Sequence, residues 1–117
     1  MVRYLGLKHG YYPDDPLRAQ ECDMIVDAYF DILVLLGEAS LGKGLDPSTI
    51  AECRPKFWEA LDKFLAFIEP FCQRGPWLCG PKMCIADFWF GTFVSVTIKN
   101  PNCPFGHDTG DWEKRCK

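Results

Sequence analysis

Residues 84–99 constrain the fold of this chain more than any other stretch. Between Ile85 and Ile98 the only charged residue is Asp87, and apolar side chains project in every helical direction. A helix that is apolar all round belongs inside a protein core, and about 15 residues are too few for a bilayer, which takes about 20. The β-branched, alternating run at 94–98 points instead to a strand.

The first residues of this stretch favour the helix. Cys84 is placed as an N-cap, and Asp87 is the third helical residue, whose carboxylate is able to reach back to the cap N–H. Met83 and Phe88 have the spacing of a hydrophobic staple. Because a buried helix start leaves N–H donors without water, we interpret Asp87 as a structural cap, with a catalytic acid as the alternative.

Other helices are predicted before this one. A short helix ends at His9-Gly10, where glycine suits a C-cap. Asp15-Pro16 pairs a capping carboxylate with proline in the first turn and starts a helix that runs to about Leu41. After a Gly-rich linker at 42–46, Asp46-Pro47 starts another, with a kink or break near 53–54 because Pro55 removes a backbone hydrogen bond. Its expected core row is Trp58, Leu61, Leu65 and Ile68, widened by Phe57, Phe64 and Phe71.

Composition indicates a single domain and argues against two classes of function, nucleic-acid binding and zinc binding. A chain of 117 residues with 48% hydrophobic residues suits one domain with a sizeable core. A net charge of −3 without a basic run argues against nucleic acid as a partner. The seven cysteines include no CxxC pair, and neither histidine is spaced with them as a zinc ligand, so no metal is predicted.

The cysteines also bear on the compartment. An odd number of cysteines without a secretory leader indicates reduced thiols in the cytoplasm or another reducing compartment. We expect most of the thiols to be small core hydrophobes rather than redox groups.

Three aspartates, Asp23, Asp27 and Asp31, recur every four residues along the first long helix. Like charges at this spacing destabilise an isolated helix by about 0.2–0.5 kcal/mol each. Asp31 lies in the middle of the helix, where the helix dipole does not stabilise a negative charge. A cation from a ligand amine or a partner chain would offset the repulsion that Asp31 experiences. The plainer alternative is a solvated acidic face. No catalytic triad and no phosphate-binding loop spacing is present, so no catalytic residue is assigned.

Residues 80–88 (GPKMCIADF) resemble the Gly-x-x-(Ile/Leu/Met)-(Ser/Thr)-x-Ala-Asp-(Phe/Tyr) stretch of cytosolic glutathione S-transferases, which opens the central helix of their C-terminal domain. Residues 3–6 and 10–16 resemble the last helix of the family's thioredoxin-like domain and the linker after it. Residues 55–57, with Leu61 and Leu65, resemble the start of its fifth helix. The resemblance covers residues 1 to about 100 and is nearest the sigma, pi and mu group, chiefly through Asp23-Met24 and the spaced aspartates.

The resemblance implies an all-α fold, a glutathione S-transferase C-terminal-like helical bundle around a buried central helix. Residues 10–117 would form this domain, and residues 1–9 would be a remnant of the last thioredoxin-like helix. Cys84 replaces the family's capping Ser or Thr. The family's glutathione-activating residue lies in the thioredoxin-like domain and has no counterpart here. We therefore expect a non-catalytic structural or interaction subunit; the alternative is part of a glutathione transferase whose catalytic domain is supplied elsewhere.

Two site residues follow from the resemblance. Asp31 matches by position the mid-helix aspartate that, in pi and sigma members, reaches across the dimer to the γ-glutamyl amine of glutathione. Leu41 falls near the family's electrophile pocket, as an apolar wall. Glutathione would be a substrate only if another chain completed the site, and no cofactor is expected.

The expected partner is a protein covering the face left by the missing domain, or a second copy of the chain. Monomers rarely expose apolar patches above a few hundred Å², and removing the thioredoxin-like domain would uncover such a patch. Membrane insertion is not expected.

Overall fold

The computed structural model describes residues 1–40 and 47–100, and that part of the chain is all-α, as predicted. The elements in order are α1 (Val2–His9), α2 (Pro16–Ser40), α3 (Pro47–Cys72) and α4 (Ile85–Phe93), and α4 continues as the π-helical turn Val94–Ile98. No helix in these two ranges has the length and apolarity needed to cross a membrane. The predictions for Leu41, for the Gly-rich linker and for residues beyond 100 fall outside the described residues.

The ends of the first two helices follow from local chemistry. Gly10 adopts a left-handed conformation (φ 76°), and its N–H donates to the carbonyl of Gly6, which closes α1 as predicted. The carboxylate of Asp15 accepts the N–H of Arg18 at 3.0 Å and so caps the start of α2. Both helices therefore begin and end within a residue or two of the predicted positions.

The helix is not broken near 53–54, so of the predicted kink or break only the kink stays a prediction. α3 runs without interruption from Pro47 to Cys72, with Pro55 and Pro70 inside it. The residue whose carbonyl loses its partner to Pro55 is Ala51, which is exposed, so water can satisfy that oxygen. Two residues after the proline, Phe57 is fully buried, and this packing offsets the lost hydrogen bond.

The core lies where α2 packs against both α3 and α4. From α2 it takes Ile25, Val26, Tyr29 and Ile32. The buried row of α3 consists of Phe57, Leu61, Phe64, Ile68 and Phe71. Trp58 and Leu65, which were predicted in this row, are only partly buried, so the inward face of α3 is rotated towards the phenylalanines.

The central helix is less enclosed than predicted. Ile85, Ala86 and Phe93 are buried, but Phe88 is 48% exposed and Val96, in the π-helical turn, is 58% exposed. One side of α4 faces the core, and the opposite side forms an open groove with α1. Its all-round apolarity therefore supplies both a buried face and an exposed apolar face.

Candidate functional site

Three buried cysteines from distant parts of the chain meet at the start of α4. Cys22 lies in α2, Cys79 in the loop after α3, and Cys84 at the N-cap of α4. Their three Sγ atoms lie within 4.8 Å of one another, and the Sγ atoms of Cys22 and Cys84 are 3.7 Å apart. None of the three residues is more than 5% exposed. We call this group the thiol cluster.

Hydrogen bonds link the sulfurs of the cluster. Interaction with the thiols of Cys79 and Cys84, and then with the main chain at Ala86, lowers the pKa of the Cys22 thiol, and this thiol donates to Cys84 Sγ at 3.7 Å. The same hydrogen bonds to Cys22 raise the pKa of Cys79 and of Cys84. Ala86 lies in the first turn of α4, so the positive end of the helix dipole also faces the cluster. The three thiols therefore influence one another's ionisation.

An open cleft of about 360 Å³ lies beside two of these cysteines. Cys79 and Cys84 are part of its lining, between the linker after α1 and the loop before α4. The guanidinium of Arg18 packs on Gly80, where an added Cβ would collide with it. The cleft carries charges of both signs, from Asp14, Asp15, Arg18 and Lys82.

Asp87 ties the start of α4 to the loop before it. Its Oδ2 accepts the N–H of Cys84 at 2.8 Å, and its Oδ1 accepts the N–H of Leu78 at 2.9 Å. The Cys84 side chain completes a capping box by accepting the N–H of Asp87. The same N–H also donates to the Cys84 carbonyl at 3.1 Å, so the thiol adds little to the stability of this helix start. Asp87 is half-buried, and burial raises its pKa against the lowering effect of the two N–H donors. Both carboxylate oxygens are engaged in a structural role.

The second residue of the predicted hydrophobic staple packs against the linker after α1. Met83 and Phe88 occupy the two staple positions, but the ring of Phe88 packs edge-on against Tyr11, with 5.2 Å between ring centroids. The main-chain N–H of Ile85 donates to the carbonyl of Tyr11 at 2.9 Å. The linker after α1 therefore holds the start of α4, and a contact between Met83 and Phe88 stays a prediction.

Two of the three spaced aspartates have a cation that the sequence did not identify. Arg3 Nε lies 2.6 Å from Asp23 Oδ1, and Arg3 Nη2 lies 2.7 Å from Asp27 Oδ1. The hydroxyl of Tyr12 donates to Asp23 Oδ2 at 2.9 Å. These ion pairs raise the pKa of Arg3. Asp23 and Asp27 thus fasten α1 and its linker to α2.

Asp31 is separate from this network. It is exposed and forms no ion pair with any residue in 1–40 or 47–100. It borders a shallow, mostly apolar depression of about 270 Å³ between α2 and α3, together with Lys63, whose ammonium pairs with Glu59 at 2.7 Å. Its carboxylate is accessible to a cation from outside the chain. The second predicted site residue, Leu41, lies outside the described residues.

α1 and α4 together form an apolar groove of about 380 Å³. Leu5, Tyr11 and Phe88 line it and are 44%, 43% and 48% exposed. At its floor the two helices approach closely, because a Cβ added at Gly6 would lie 2.7 Å from Ile85 Cγ2. We call this surface the α1–α4 groove.

Sequence reasoning missed the thiol cluster because its members are remote in the chain. Cys22 and Cys84 are 62 positions apart, and no local spacing of cysteines marks them as partners. The only available signal was the pair Cys79 and Cys84 on either side of the turn that starts α4.

Comparison of this chain with family models, with curated proteins and with solved structures finds no match.

Proposed function

We propose that this chain is a glutathione S-transferase-type C-terminal helical domain that acts as a non-catalytic interaction subunit. The observation that carries the proposal is the α1–α4 groove, an open apolar surface between two helices. Three large apolar side chains, Leu5, Tyr11 and Phe88, are each almost half exposed there. A contiguous apolar surface of this kind is typical of a docking site for another protein.

Contacts within the chain preform the α1–α4 groove in the absence of a partner. Arg3 fixes α1 to α2 through Asp23 and Asp27, and the close approach of Gly6 to Ile85 fixes α1 against α4. A preformed surface loses little conformational entropy on binding. This supports a docking role for α1 and α4 together.

The partner we propose for the groove is a thioredoxin-like domain, on the same or another polypeptide. By its resemblance to glutathione S-transferases, α1 corresponds to the last helix of such a domain. The rest of that domain would therefore lie beside α1 and over the groove. The capping box of Cys84 and Asp87, at the position of the family's capping box, adds support. Glutathione activation is not part of the proposed role, because the family's activating residue belongs to the thioredoxin-like domain.

The test is a titration of the ¹⁵N-labelled 117-residue chain with a separately expressed thioredoxin-like domain of a sigma-type glutathione transferase. We expect chemical-shift changes centred on α1 and α4. Burying a leucine contributes about 1.5–3 kcal/mol, so Leu5→Asp should weaken the complex by about tenfold or more. The matched control is Leu17→Asp, at a position in α2 that is 66% exposed. The absence of a complex, or an equal effect of the two variants, would overturn the proposal.

One observation favours the enzymatic alternative, in which the chain completes a glutathione site with a catalytic domain from elsewhere. Asp31 is exposed and has no ion pair in the described part of the chain, so it is accessible to the γ-glutamyl amine of glutathione bound to a partner. The assay is conjugation of glutathione to a chloro-arene by the chain mixed with the thioredoxin-like domain. Turnover that falls with Asp31→Asn would favour this alternative.

The chain alone should give no turnover in that assay. The thiol of glutathione has a pKa near that of a free cysteine, about 8.5, and no residue of the chain is assigned to lower it. Retention of the chain alone on glutathione-agarose is likewise not expected.

A further inference from the structure

We propose that the thiol cluster is a binding site for a soft monovalent metal ion, Cu(I), held by the sulfurs of Cys22, Cys79 and Cys84. The inference is independent of the proposed function, since the cluster uses none of the residues that line the α1–α4 groove.

The spacing of the sulfurs suits a three-coordinate ion. A metal–sulfur bond of about 2.3 Å places the three sulfurs of a trigonal site about 4.0 Å apart. The Cys22 and Cys84 sulfurs are 3.7 Å apart, and all three lie within 4.8 Å. The Cys22–Cys84 distance differs from this value by about 0.3 Å, and no pair exceeds it by more than about 0.8 Å.

The number and type of ligands favour Cu(I) over zinc. Structural zinc sites are tetrahedral and closed by four ligands, whereas in residues 1–40 and 47–100 no other Cys, His, Asp or Glu joins this group. Soft thiolates suit Cu(I), zinc and iron–sulfur clusters, and of these Cu(I) is the one for which three-coordination by sulfur alone is an ordinary geometry. Burial of all three cysteines also shields a bound Cu(I) from water.

The charge of the complex has both favourable and unfavourable neighbours. Each coordinating thiol releases its proton to solvent, so Cu(I) and three thiols give a thiolate complex with two net negative charges and three protons. The N–H of Ala86 and the positive end of the α4 dipole stabilise negative charge on these sulfurs, whereas the carboxylates of Asp23 and Asp87 oppose it. An ion would reach the cluster from the cleft beside Cys79 and Cys84.

Two simpler interpretations fit the observations less well. Core packing explains why each of the three thiols is buried, but it does not require three sulfurs from α2, a loop and a helix cap to lie within 4.8 Å of one another. A disulfide needs a sulfur–sulfur distance of about 2.05 Å, and closing Cys22 to Cys84 would leave the sulfur of Cys79 without a role. The convergence of three sulfurs is what a metal site explains.

A bound ion would join three separate segments: α2 through Cys22, the loop after α3 through Cys79, and the start of α4 through Cys84. Because the unfolded chain has no preformed site, binding stabilises the folded state. We therefore expect Cu(I) to raise the melting temperature of the protein.

The experiment is anaerobic transfer of Cu(I) from its bicinchoninate complex to the reduced 117-residue chain, in the presence of millimolar glutathione. We expect one equivalent to remain bound after desalting, X-ray absorption to show about three sulfur neighbours at about 2.3 Å, and the melting temperature to rise. Loss of the copper to glutathione, or a coordination shell without three sulfurs, would overturn the proposal.

Two kinds of variant locate the site. Cys84→Ser removes one ligand but keeps the helix cap, since serine is a preferred capping residue, and should weaken binding by about 100-fold or more. Cys53→Ser and Cys72→Ser, outside the cluster, should leave it unchanged. Circular dichroism of each variant verifies the fold. Equal binding by Cys84→Ser and wild type, or equal loss in Cys72→Ser, would overturn the assignment.

Discussion

The N–H of Leu78 donates to Asp87 Oδ1 at 2.9 Å, across nine positions of the chain. Together with the bond from the N–H of Cys84 to Oδ2, it lets one carboxylate hold the loop before α4 and the first turn of α4 at the same time. The loop in question carries Cys79, so the same carboxylate also positions one arm of the thiol cluster.

Asp87→Ala should destabilise the protein by about 1–3 kcal/mol, because two main-chain donors lose their acceptor in a half-buried site. Asp87→Asn keeps one carbonyl acceptor and should cost less. Urea denaturation measures both, with Asp14→Ala as the control at an exposed aspartate. If Asp87→Ala costs no more than Asp14→Ala, the capping role of Asp87 is refuted.

Gly6→Ala should destabilise the protein even though alanine is the better helix former. The new Cβ would lie 2.7 Å from Ile85 Cγ2, and overpacking of this kind typically costs about 1–3 kcal/mol. Gly37→Ala in α2 is the matched control, because no atom of the described residues lies within 4 Å of its added Cβ; it should stabilise the protein by about 0.5–1 kcal/mol.

A double variant tests whether the contact itself is responsible. Ile85→Leu removes the Cγ2 branch, so Gly6→Ala should cost less in that background, as a double-mutant cycle on thermal unfolding would show. Additive effects of the two substitutions would contradict the close approach of α1 and α4.

Arg3→Gln should weaken the attachment of α1 to α2. Its two ion pairs, with Asp23 and Asp27, lie at the surface, and exposed pairs contribute about 0.2–1 kcal/mol each. The loss should shrink in 1 M salt, where the screening length is about 3 Å. Lys8→Gln removes a charge from the same helix and forms no ion pair among the described residues. A loss equal to that of Lys8→Gln would argue against the bridge.

Asp31→Asn should change the stability of the isolated chain by no more than about 0.5 kcal/mol, because Asp31 is exposed and has no ion pair in residues 1–40 or 47–100. Chemical denaturation measures this, and Asp23→Asn, which loses Arg3 and Tyr12, is the comparison. A cost of 1 kcal/mol or more for Asp31→Asn would show that this carboxylate has a partner within the chain.

The helices could be predicted from short stretches of sequence, because the interactions that begin and end them span only a few residues. Asp15 caps the third residue after it, Gly10 closes α1 through Gly6, and Asp87 accepts the N–H of Cys84 three positions earlier. Each of these capping interactions can be predicted from a few consecutive residues. The all-α class follows from them without tertiary information.

The contacts between side chains that are remote in the sequence became visible only in the tertiary structure. The ion pairs of Arg3 join residues 20 and 24 positions apart, and the contact of Cys22 with Cys84 spans 62. The continuity of α3 through Pro55 likewise depends on the burial of Phe57 and on the exposure of Ala51. These features depend on how helices pack rather than on where they begin, so no local pattern of residues encodes them.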